Sequence, residues 1–520
     1  MLILAVIAVR VSRRFGLPTL LLYLGIGMLL GNAGLGIDFS NTVLTEHLGL
    51  AALVFILTEG GLTTRWANVR PALGLGAMLA TVSVAVSIAV AGTGVHLLMG
   101  FDWRTSLTWG AVLSSTDVAA VFSVLRGIGV RPKLAAALEL ESGLNDAPVV
   151  IAVLLFAGSG EITWTDPLLV VYELVAGAAI GLALGFAGSW WLRRGALPAN
   201  GLYPLATIAV AGGAYAVGQF AHSSGFLATY LAALVLGNST IPQRASTLSF
   251  AEGLGWVAQI GLFVLLGLYV DPTKLPAALV PGILIGLMVL VVARPLSVIA
   301  AALPFRLPWR EQAFLSYSGL RGAVPIVLAL IPLTLGQVHS AELVAVIVVA
   351  VVIYTLLQGT SLPAVARVLK VVDLGADAEE VHIDAAPLEE MRAHVLQVRI
   401  PDGSRLHGVY LTELRLPAGT VVALVTRDGA PLQVDRTTRL QAGDQVLVVT
   451  PEKIRVATER RLRAVARGGV LADWFGNGHA AGGEHSDDAL PRWVRIVRVR
   501  MRRLAKADRH QDGPGVRGGR

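Results

Sequence analysis

The chain has 520 residues, of which 54% are hydrophobic and only 15% are charged, and it carries a net charge of +7 and no cysteine. A soluble domain usually has about 25% charged residues, so this composition indicates a membrane protein and excludes a wholly soluble one. Without cysteine there is no disulfide, thiolate catalysis or cysteine-ligated metal. The basic excess lies mostly in short loops and in the C-terminal tail, which argues against nucleic acid as a partner.

Apolar runs of about 20 residues, long enough to cross roughly 30 Å of hydrocarbon, follow one another as far as Lys370. They predict thirteen membrane segments. The first segment is short, which indicates either a short helix or a true start upstream, and the ninth is also short for a full span. The predicted segments are 2–12, 17–31, 47–63, 71–99, 105–125, 134–157, 168–192, 203–220, 225–237, 247–270, 278–303, 311–335 and 341–366.

Loop charges predict the orientation of these segments, because cytoplasmic loops are enriched in lysine and arginine. With the N-terminus outside, the outer loops hold only Arg104 and Lys274 and most of the loop acids. We therefore predict a multi-pass protein of the inner (plasma) membrane with a cytoplasmic C-terminus. The basic residues of the cytoplasmic loops are Arg10, Arg13, Arg14, Arg65, Arg70, Arg126, Arg131, Lys133, Arg193, Arg194, Arg244, Arg306 and Arg310.

Charge returns to an ordinary density after Lys370, which predicts a soluble C-terminal part. Alternating apolar residues between turn residues predict strands at 394–400, 420–429 and 444–450, and a helix that begins in 408–414. The fold class is thus an all-α polytopic membrane protein with a small cytoplasmic α+β domain. The predicted divisions are a transmembrane domain 1–370, an acidic linker 371–391, the α+β domain 392–452 and a basic, partly disordered tail 453–520.

Five ionisable side chains inside the apolar segments call for an explanation, since inserting a charged residue into the bilayer costs roughly 2.5–3.5 kcal/mol at a helix centre. Glu59 stands near a helix end, before two glycines, and either reaches the membrane interface or lines an ion path. The other four lie in three polar interruptions. The five residues are Glu59, Asp117, Glu141, Asp146 and Arg321.

The first interruption is the run 114–117, with the sequence SSTD. Hydroxyl groups there can satisfy backbone groups where a helix unwinds, and discontinuous helices are the usual binding element of secondary transporters. The Thr116 hydroxyl and the Asp117 carboxylate would then face an ion. The alternative is a serine- and threonine-rich kink in which Asp117 bonds to nearby backbone.

The second interruption lies in the middle of the segment 134–157. Ser142 and Asp146 are four residues apart and share one helix face, and Glu141 and Asn145 share the next. A carboxylate beside a hydroxyl suits a hard monovalent cation, which prefers oxygen ligands. The alternative is a set of polar groups that hydrogen-bond a neighbouring helix.

The third interruption surrounds Arg321, which is flanked by Gly319, Gly322 and Pro325. An arginine stays charged, so it needs a carboxylate or a helix C-terminus beside it, and Glu141 is the predicted partner. The alternative is that Arg321 only neutralises structural charge. By contrast, we interpret Glu173, Glu252 and Arg294 as interhelical pairs or helix-end anchors.

The sequence lacks the motifs that are typical of several other membrane functions. The chain has no phosphate-binding GxxxxGK[ST] sequence for an ATP-driven pump and no TVGYG filter for a potassium channel. The apolar segments hold no nucleophile–base pair or metal cluster, so neither an enzyme nor a cofactor is predicted.

Three motifs resemble those of the cation–proton antiporter family, NhaP-like branch. They are SSTDVAAVF at 114–122, LELESGLNDAPVV at 138–150 and GLRGAVPIVLAL at 319–330, and the resemblance covers about 1–370. The stretch 392–452 is similar to the TrkA carboxy-terminal domain of potassium transport proteins. The resemblance implies two inverted repeats with discontinuous helices, about thirteen helices in all, and a homodimer.

The resemblance also implies roles for single residues. Asp146 would bind either the cation or the proton, and the neutral Asn145 before it is typical of the electroneutral branch. Ser142, Thr116 and Asp117 would complete the site. Glu141 and Arg321 would form a stabilising ion pair, and Glu59 falls where some members have an acidic ligand.

The sequence thus predicts a secondary antiporter that exchanges a monovalent cation for H⁺ with no net charge movement; K⁺ is the favoured cation and Na⁺ is the alternative. The cytoplasmic domain would regulate it by binding a small molecule. The alternatives are a cation channel gated by the tail and a membrane cation sensor without flux.

Overall fold

The computed structural model describes residues 19–31, 34–37, 39–117, 129–160, 162–372, 382–388, 393–427, 429–432, 434–435 and 438–469. The chain forms two compact units, Met1–Ala378 and Glu379–Arg520. The predicted first membrane segment, 2–12, lies outside the described residues.

The first unit is built from apolar helices. Among the described residues, seven helical stretches are long and apolar enough to cross a membrane, and three shorter apolar helices accompany them. The helices are α1 Thr19–Leu30, α2 Thr42–Thr63, α3 Trp66–Val69, α4 Leu73–Ala80, α5 Val82–Met99, α6 Trp103–Ser114, α7 Pro132–Leu144, α8 Asp146–Ala157, α9 Asp166–Arg194, α10 Leu202–Phe220, α11 Gly225–Gly237, α12 Arg244–Tyr269, α13 Leu275–Met288, α14 Arg294–Ala302, α15 Trp309–Tyr317, α16 Ala323–Thr334 and α17 Ser340–Val368.

Helix α16 is the centre of this unit. Every residue from Ala323 to Pro332 is buried, and the helix packs against α2, α6, α8 and α17. Helix α9 lies at the periphery, where apolar side chains such as Leu168, Val175 and Phe186 are exposed. In a membrane such a surface faces lipid, so its exposure is expected.

Glycines bring α9 close to α11. A Cβ atom at Gly181 would lie 2.5 Å from the carbonyl oxygen of Ala228, and one at Gly185 would lie 3.0 Å from the Cα of Ala232. Two membrane helices gain van der Waals contact when small residues let their backbones approach, so this row of glycines explains the packing of α9.

Two of the predicted interruptions are confirmed as breaks in the helices. Helix α6 ends at Ser114 and is followed by extended backbone at Ser115 (φ −66°, ψ 141°). Helix α15 ends at Tyr317 and α16 begins only at Ala323. Asn145 separates α7 from α8 only by a turn, because its N–H still donates to the Glu141 carbonyl at 2.9 Å.

The second unit contains an antiparallel sheet with strand order β1-β2-β5-β3-β4. Three of its strands confirm the predicted ones with shifted bounds, and the predicted helix at 408–414 is a 3₁₀ turn at Leu411–Leu414. The strands are β1 His382–Leu388, β2 Ala393–Arg399, β3 Val421–Arg427, β4 Ala430–Leu432 and β5 Gln445–Pro451.

Two stretches that the sequence analysis assigned to a linker and a tail contain regular elements. The predicted linker 371–391 contains β1, which pairs with β2 along seven residues. The predicted tail 453–520 begins with a helix, α18 Arg455–Gly468, whose Leu462 and Val465 lie in the hydrophobic core of the unit. The surplus of charge in both stretches obscured these elements, because charge runs are typical of linkers and tails.

The sheet unit also holds a buried carboxylate. Both oxygens of Asp444 accept from Arg427, at 2.8 and 2.9 Å, and the Gln441 N–H donates to Oδ2 at 2.8 Å. Burial alone would raise the pKa of Asp444, but the hydrogen bonds from Arg427 and Gln441 prevail and hold that pKa below its usual 3.8.

We expect Asp444→Asn to lower the free energy of unfolding of the sheet unit by about 2–3 kcal/mol at pH 7, because charge-assisted hydrogen bonds are lost. The folded-state pKa is lowered, so this stabilisation is complete above pH 3.8 and is lost as the pH falls through the folded value. Hydrogen exchange of β2 and β5 in the full-length protein measures it. The exposed Asp402→Asn is the control, and equal protection in both variants would contradict the expectation.

Candidate functional site

The two unwound segments cross in the centre of the membrane unit. The backbone N–H of Asp117, just after α6, donates to the carbonyl oxygen of Leu320, between α15 and α16, at 2.9 Å. A backbone hydrogen bond between two helix breaks satisfies polar groups that would otherwise be costly in a bilayer. The crossing therefore fixes where α6 ends and where α16 begins.

Charged side chains complement the helix ends at this crossing. The Ala323 N–H, at the start of α16, donates to Asp117 Oδ2 at 3.0 Å. Arg321 Nε donates to the Leu113 carbonyl, in the last turn of α6, at 2.7 Å. A carboxylate thus lies at a positive helix N-terminus and a guanidinium at a negative C-terminus, the favourable arrangement in both cases.

Gly322 is required at the crossing. A Cβ atom there would lie 1.8 Å from Asp117 Oδ2, so no side chain fits while Asp117 caps α16. The alternative prediction was that the Asp117 carboxylate bonds to nearby backbone. The hydrogen bond from the Ala323 N–H is such a contact. The role of Asp117 as a cation ligand stays a prediction.

Asp146 lies beside this crossing at the first residue of α8. The residue is 4% exposed, and a single hydrogen bond reaches its carboxylate from the described residues, from Ser115 Oγ to Oδ1 at 3.3 Å. Burying an ionised carboxylate costs several kcal/mol unless it is paired. One long hydrogen bond does not meet that cost, so the geometry leaves Asp146 in need of a positive charge.

Residues next to Ser115 and Asp146 bring further oxygen atoms to this place. Asn145 Nδ2 donates to Thr116 Oγ1 at 2.6 Å, and the Thr116 and Ser142 hydroxyls are 3.3 Å apart. The amide oxygen of Asn145 is buried and has no hydrogen-bond partner among the residues that the structure describes. The unwound segment after α6 and the turn between α7 and α8 therefore bring hydroxyl, amide and carboxylate oxygens together.

The structure thus assembles four of the predicted site residues, Thr116, Ser142, Asn145 and Asp146. It adds Ser115, which the sequence analysis did not single out although it stands in the same SSTD run as Thr116 and Asp117. An extended backbone points successive side chains to opposite sides, and only the geometry of the crossing shows that Ser115 reaches Asp146.

The prediction that Glu141 pairs with Arg321 was wrong, because the salt bridge of Glu141 is with Arg294. Arg294 Nη1 donates to Glu141 Oε1 at 2.5 Å, and Arg294 Nη2 donates to the Leu315 carbonyl at 3.3 Å. Arg294 begins α14, directly after a π-helical turn at Val289–Ala293, a distortion that is frequent at functional sites. The interpretation of Arg294 as an interhelical pair is confirmed.

Arg321 forms no salt bridge with Glu141 in the described contacts. Besides its bond to α6, its guanidinium carbon lies 4.7 Å from the ring centroid of Tyr354, whose hydroxyl donates to the Gly286 carbonyl at 2.5 Å. A guanidinium over an aromatic face gains a cation–π interaction, which grows when the pair is desolvated. Arg321 therefore stabilises the crossing.

Glu59 stands at a different contact. It is half-buried on α2, and a Cβ atom at Gly255 of α12 would lie 3.0 Å from its Cγ and 3.2 Å from its Oε2. Glu59 thus packs closely on α12. Its role as an acidic ligand stays a prediction.

Comparison with known proteins decides the family. Residues 1–368 match the model of the transmembrane sodium/hydrogen exchanger, and residues 395–460 match the TrkA-C domain. The chain belongs to the sodium/hydrogen exchanger family. It is therefore a multi-pass membrane antiporter that exchanges a cation for protons, as the three motifs predicted.

Relatives of this exchanger agree over most of its length. The K(+)/H(+) antiporter NhaP of Alkalimonas amylolytica is 35% identical over 91% of this chain and 84% of its own. The K(+)/H(+) antiporter NhaP2 of Shewanella baltica is 36% identical over 85% of this chain and 78% of its own. These family relationships confirm the predicted type of transporter and its multi-pass membrane location.

Solved structures share the fold of the exchanger. The sodium proton antiporter MjNhaP1 of Methanocaldococcus jannaschii is 21% identical and covers 71% of this chain and 94% of its own, with a TM-score of 0.58. The predicted fold class, a helical polytopic unit with a small sheet-containing unit, is confirmed. The count of thirteen membrane helices stays a prediction.

The charges buried in the exchanger's membrane unit form one set. Among its described residues, the buried acidic and basic side chains are Asp117, Glu141, Asp146, Arg294 and Arg321. Three carboxylates and two guanidinium groups leave one negative charge when all five are ionised. The carboxylate that receives neither a cationic group nor a backbone N–H in the described contacts is Asp146, so the surplus charge belongs there.

We expect Gly322→Ala to abolish most of the exchange, because the new methyl group would displace Asp117 from the start of α16. The crossing and the oxygen atoms around Asp146 would shift with it. Proton flux in reconstituted vesicles measures the loss. Gly213→Ala on α10 is the matched control, since nothing lies within 4 Å of its added Cβ and activity should persist. Full activity of Gly322→Ala would contradict the described crossing.

Proposed function

We propose that this exchanger carries potassium in one direction and protons in the other, and that both bind in turn to the carboxylate of Asp146. The supporting observation is that this buried carboxylate receives one long hydrogen bond and that residues adjacent to it and to its donor Ser115 carry neutral oxygen atoms. Oxygen ligands suit a hard monovalent cation, and a proton satisfies the same carboxylate.

Competition for one carboxylate couples the two fluxes. When Asp146 holds a proton, its negative charge is absent and the carboxyl group no longer attracts the cation. When it holds the cation, the proton is displaced for the same reason. If the loaded carboxylate reaches either side of the membrane in turn, each crossing of one ion requires the return of the other.

The buried charges support an exchange of one cation for one proton. The five charged groups sum to one negative charge, so one bound K⁺ or one bound H⁺ makes the set neutral. Both loaded states then carry the same charge across the bilayer. A second cation or proton would leave an uncompensated positive charge in a low-dielectric interior, which costs several kcal/mol.

Two observations favour potassium over sodium. Relatives that match this chain at 34–36% identity over most of its length are named K(+)/H(+) antiporters. The C-terminal unit also matches the TrkA-C domain, which resembles a module of potassium transport proteins. Sodium is the second candidate, since the structural neighbours are named sodium proton antiporters.

Proton flux in proteoliposomes tests the proposal. With a pH dye inside, an outward K⁺ gradient should drive proton uptake faster than an equal Na⁺ gradient, and clamping the membrane potential at several values should not alter the rate. A current that follows the voltage would favour a channel instead. Absence of flux, with cation binding retained, would favour a sensor.

For the assembly and the regulation of the exchanger, the support is the resemblance to the antiporter family and to the TrkA carboxy-terminal domain. We propose a homodimer in which residues 1–370 transport the ions and residues 392–452 bind a small regulatory molecule. Native mass spectrometry of the full-length protein tests the dimer, and ligand-induced shifts of its thermal unfolding test the regulator.

A further inference from the structure

A second glutamate of α7, Glu139, lies on the same helix face as Asp146. The two are seven residues apart, which is close to two turns and about 10 Å along the axis. The turn at Asn145 does not alter this relation, because the Val149 N–H still donates to the Asn145 carbonyl at 3.1 Å. A line from Glu139 along α7 and α8 therefore leads to Asp146.

Glu139 lies on the cytoplasmic side of Asp146. Val130, just before α7, forms a β-bridge with Val372, and the Arg131 N–H donates to the Val371 carbonyl at 3.1 Å. These residues follow α17, after which the chain continues into its cytoplasmic part. Helix α7 thus enters the membrane from the cytoplasm, and Glu139 lies about 10 Å along it.

The surroundings of Glu139 are polar. The Thr64 hydroxyl, at the end of α2, is buried and donates to Glu139 Oε1 at 2.5 Å. The glutamate itself is half-buried, so one side of it remains accessible. A carboxylate that is fixed by a hydroxyl and reached by solvent retains its charge at moderate cost.

A tyrosine hydroxyl occupies the space between the two carboxylates. Gly143 lies between Glu139 and Asp146 on their shared face, and a Cβ there would lie 2.5 Å from the Tyr230 ring and 2.8 Å from its hydroxyl. This hydroxyl is almost fully buried and lies near Thr64 and Glu139. It has no hydrogen-bond partner among the described residues.

We propose that Glu139 is an intermediate cation site, at which a monovalent cation from the cytoplasm binds before it reaches Asp146, with the Tyr230 hydroxyl lining the passage. The proposal rests on the exchange at Asp146 set out above. The unpartnered phenol oxygen supplies a ligand between the two carboxylates, and it can accept from water or bind a cation. A fixed negative charge raises the local cation concentration on its own side of the membrane.

The side of the membrane distinguishes this role from a structural one. In everted vesicles, whose cytoplasmic face is outward, Glu139→Gln should raise the KM for K⁺ about tenfold with little change in maximal rate. In right-side-out vesicles, where K⁺ meets the opposite face, the KM should stay within about twofold of wild type. Glu139→Asp keeps the charge and should restore most of the affinity.

Glu173→Gln is the matched control. Glu173 is also half-buried and lies two turns after the start of the membrane helix α9, on the side of the membrane away from the cytoplasm. Its replacement should therefore leave the KM for K⁺ in everted vesicles unchanged. An unchanged KM for Glu139→Gln in everted vesicles would overturn the proposal. An equal change in both orientations would overturn it too, since it would show a general structural effect.

A measurement on the wild type covers the case in which the variants fail to fold. Choline chloride screens exposed charges without being a substrate, and the screening length falls to about 10 Å at 0.1 M salt. The KM for K⁺ should rise with choline chloride in everted vesicles and not in right-side-out ones; equal rises in the two would overturn the proposal. Wild-type vesicles without any K⁺-dependent proton flux would instead refute the function at Asp146.

Discussion

Replacing Asp146 by asparagine is expected to abolish exchange, so that proton flux falls to the rate of protein-free liposomes. The amide cannot carry the charge for which cation and proton compete. The side chain keeps its size and can still accept from Ser115. Removing a buried charge that has one long hydrogen bond relieves a desolvation cost, so the fold should be retained.

Two controls sharpen this result. Glu252→Gln changes another carboxylate to an amide in a membrane helix, α12, but at an exposed position, and it should transport at the wild-type rate. Thermal unfolding of Asp146→Asn in detergent should match that of the wild type. Cation-dependent proton flux by a folded Asp146→Asn protein would refute the role of this residue.

Breaking the ion pair between Arg294 and Glu141 is expected to have the largest effect on stability. Arg294→Met leaves the Glu141 carboxylate buried without its cation, a change that costs about 3–5 kcal/mol. The Arg294 side chain is also packed on Gly319, where a Cβ would lie 2.5 Å from Nε, so the loop before α16 would lose its support. Titration with a denaturing detergent measures the loss of unfolding free energy.

The double variant Glu141→Gln with Arg294→Met should recover most of that loss, because no charge is then left unpaired. Arg131→Met is the matched control. It breaks the pair with Glu311, which is 2.7 Å long but half-exposed on the arginine side, and exposed pairs contribute about 0–1 kcal/mol. Equal losses for Arg131→Met and Arg294→Met would contradict the importance of burial.

The helix breaks and the central carboxylate could be predicted from the sequence. The run SSTD and the glycines at 319 and 322 disturb otherwise apolar helices, and an aspartate there is too costly to be incidental. The four-residue spacing of Ser142 and Asp146 is enough to predict that both lie on one helix face. Such features are local, so a single sequence carries them.

The partner of Glu141 could not be predicted in the same way. Arg294 and Arg321 both stand in apolar segments and are equally able to neutralise a carboxylate. The choice depends on how α14 and the break before α16 cross α7, and no local pattern encodes that crossing. In the sheet unit, β1 and α18 were missed because acidic residues flank β1 in the sequence and basic residues are frequent in α18, which gave the two stretches the composition of a linker and a tail.

The crossing of the two broken helices constrains how this protein can change over evolutionary time. Asp117 fits only while residue 322 has no side chain, and the end of α6 relies on a guanidinium that comes from residue 321. Substitutions at these positions should therefore be correlated across related sequences. A lineage that replaces Asp117 by a smaller residue frees position 322 to acquire a methyl group, and one that loses Arg321 must supply another donor for the Leu113 carbonyl.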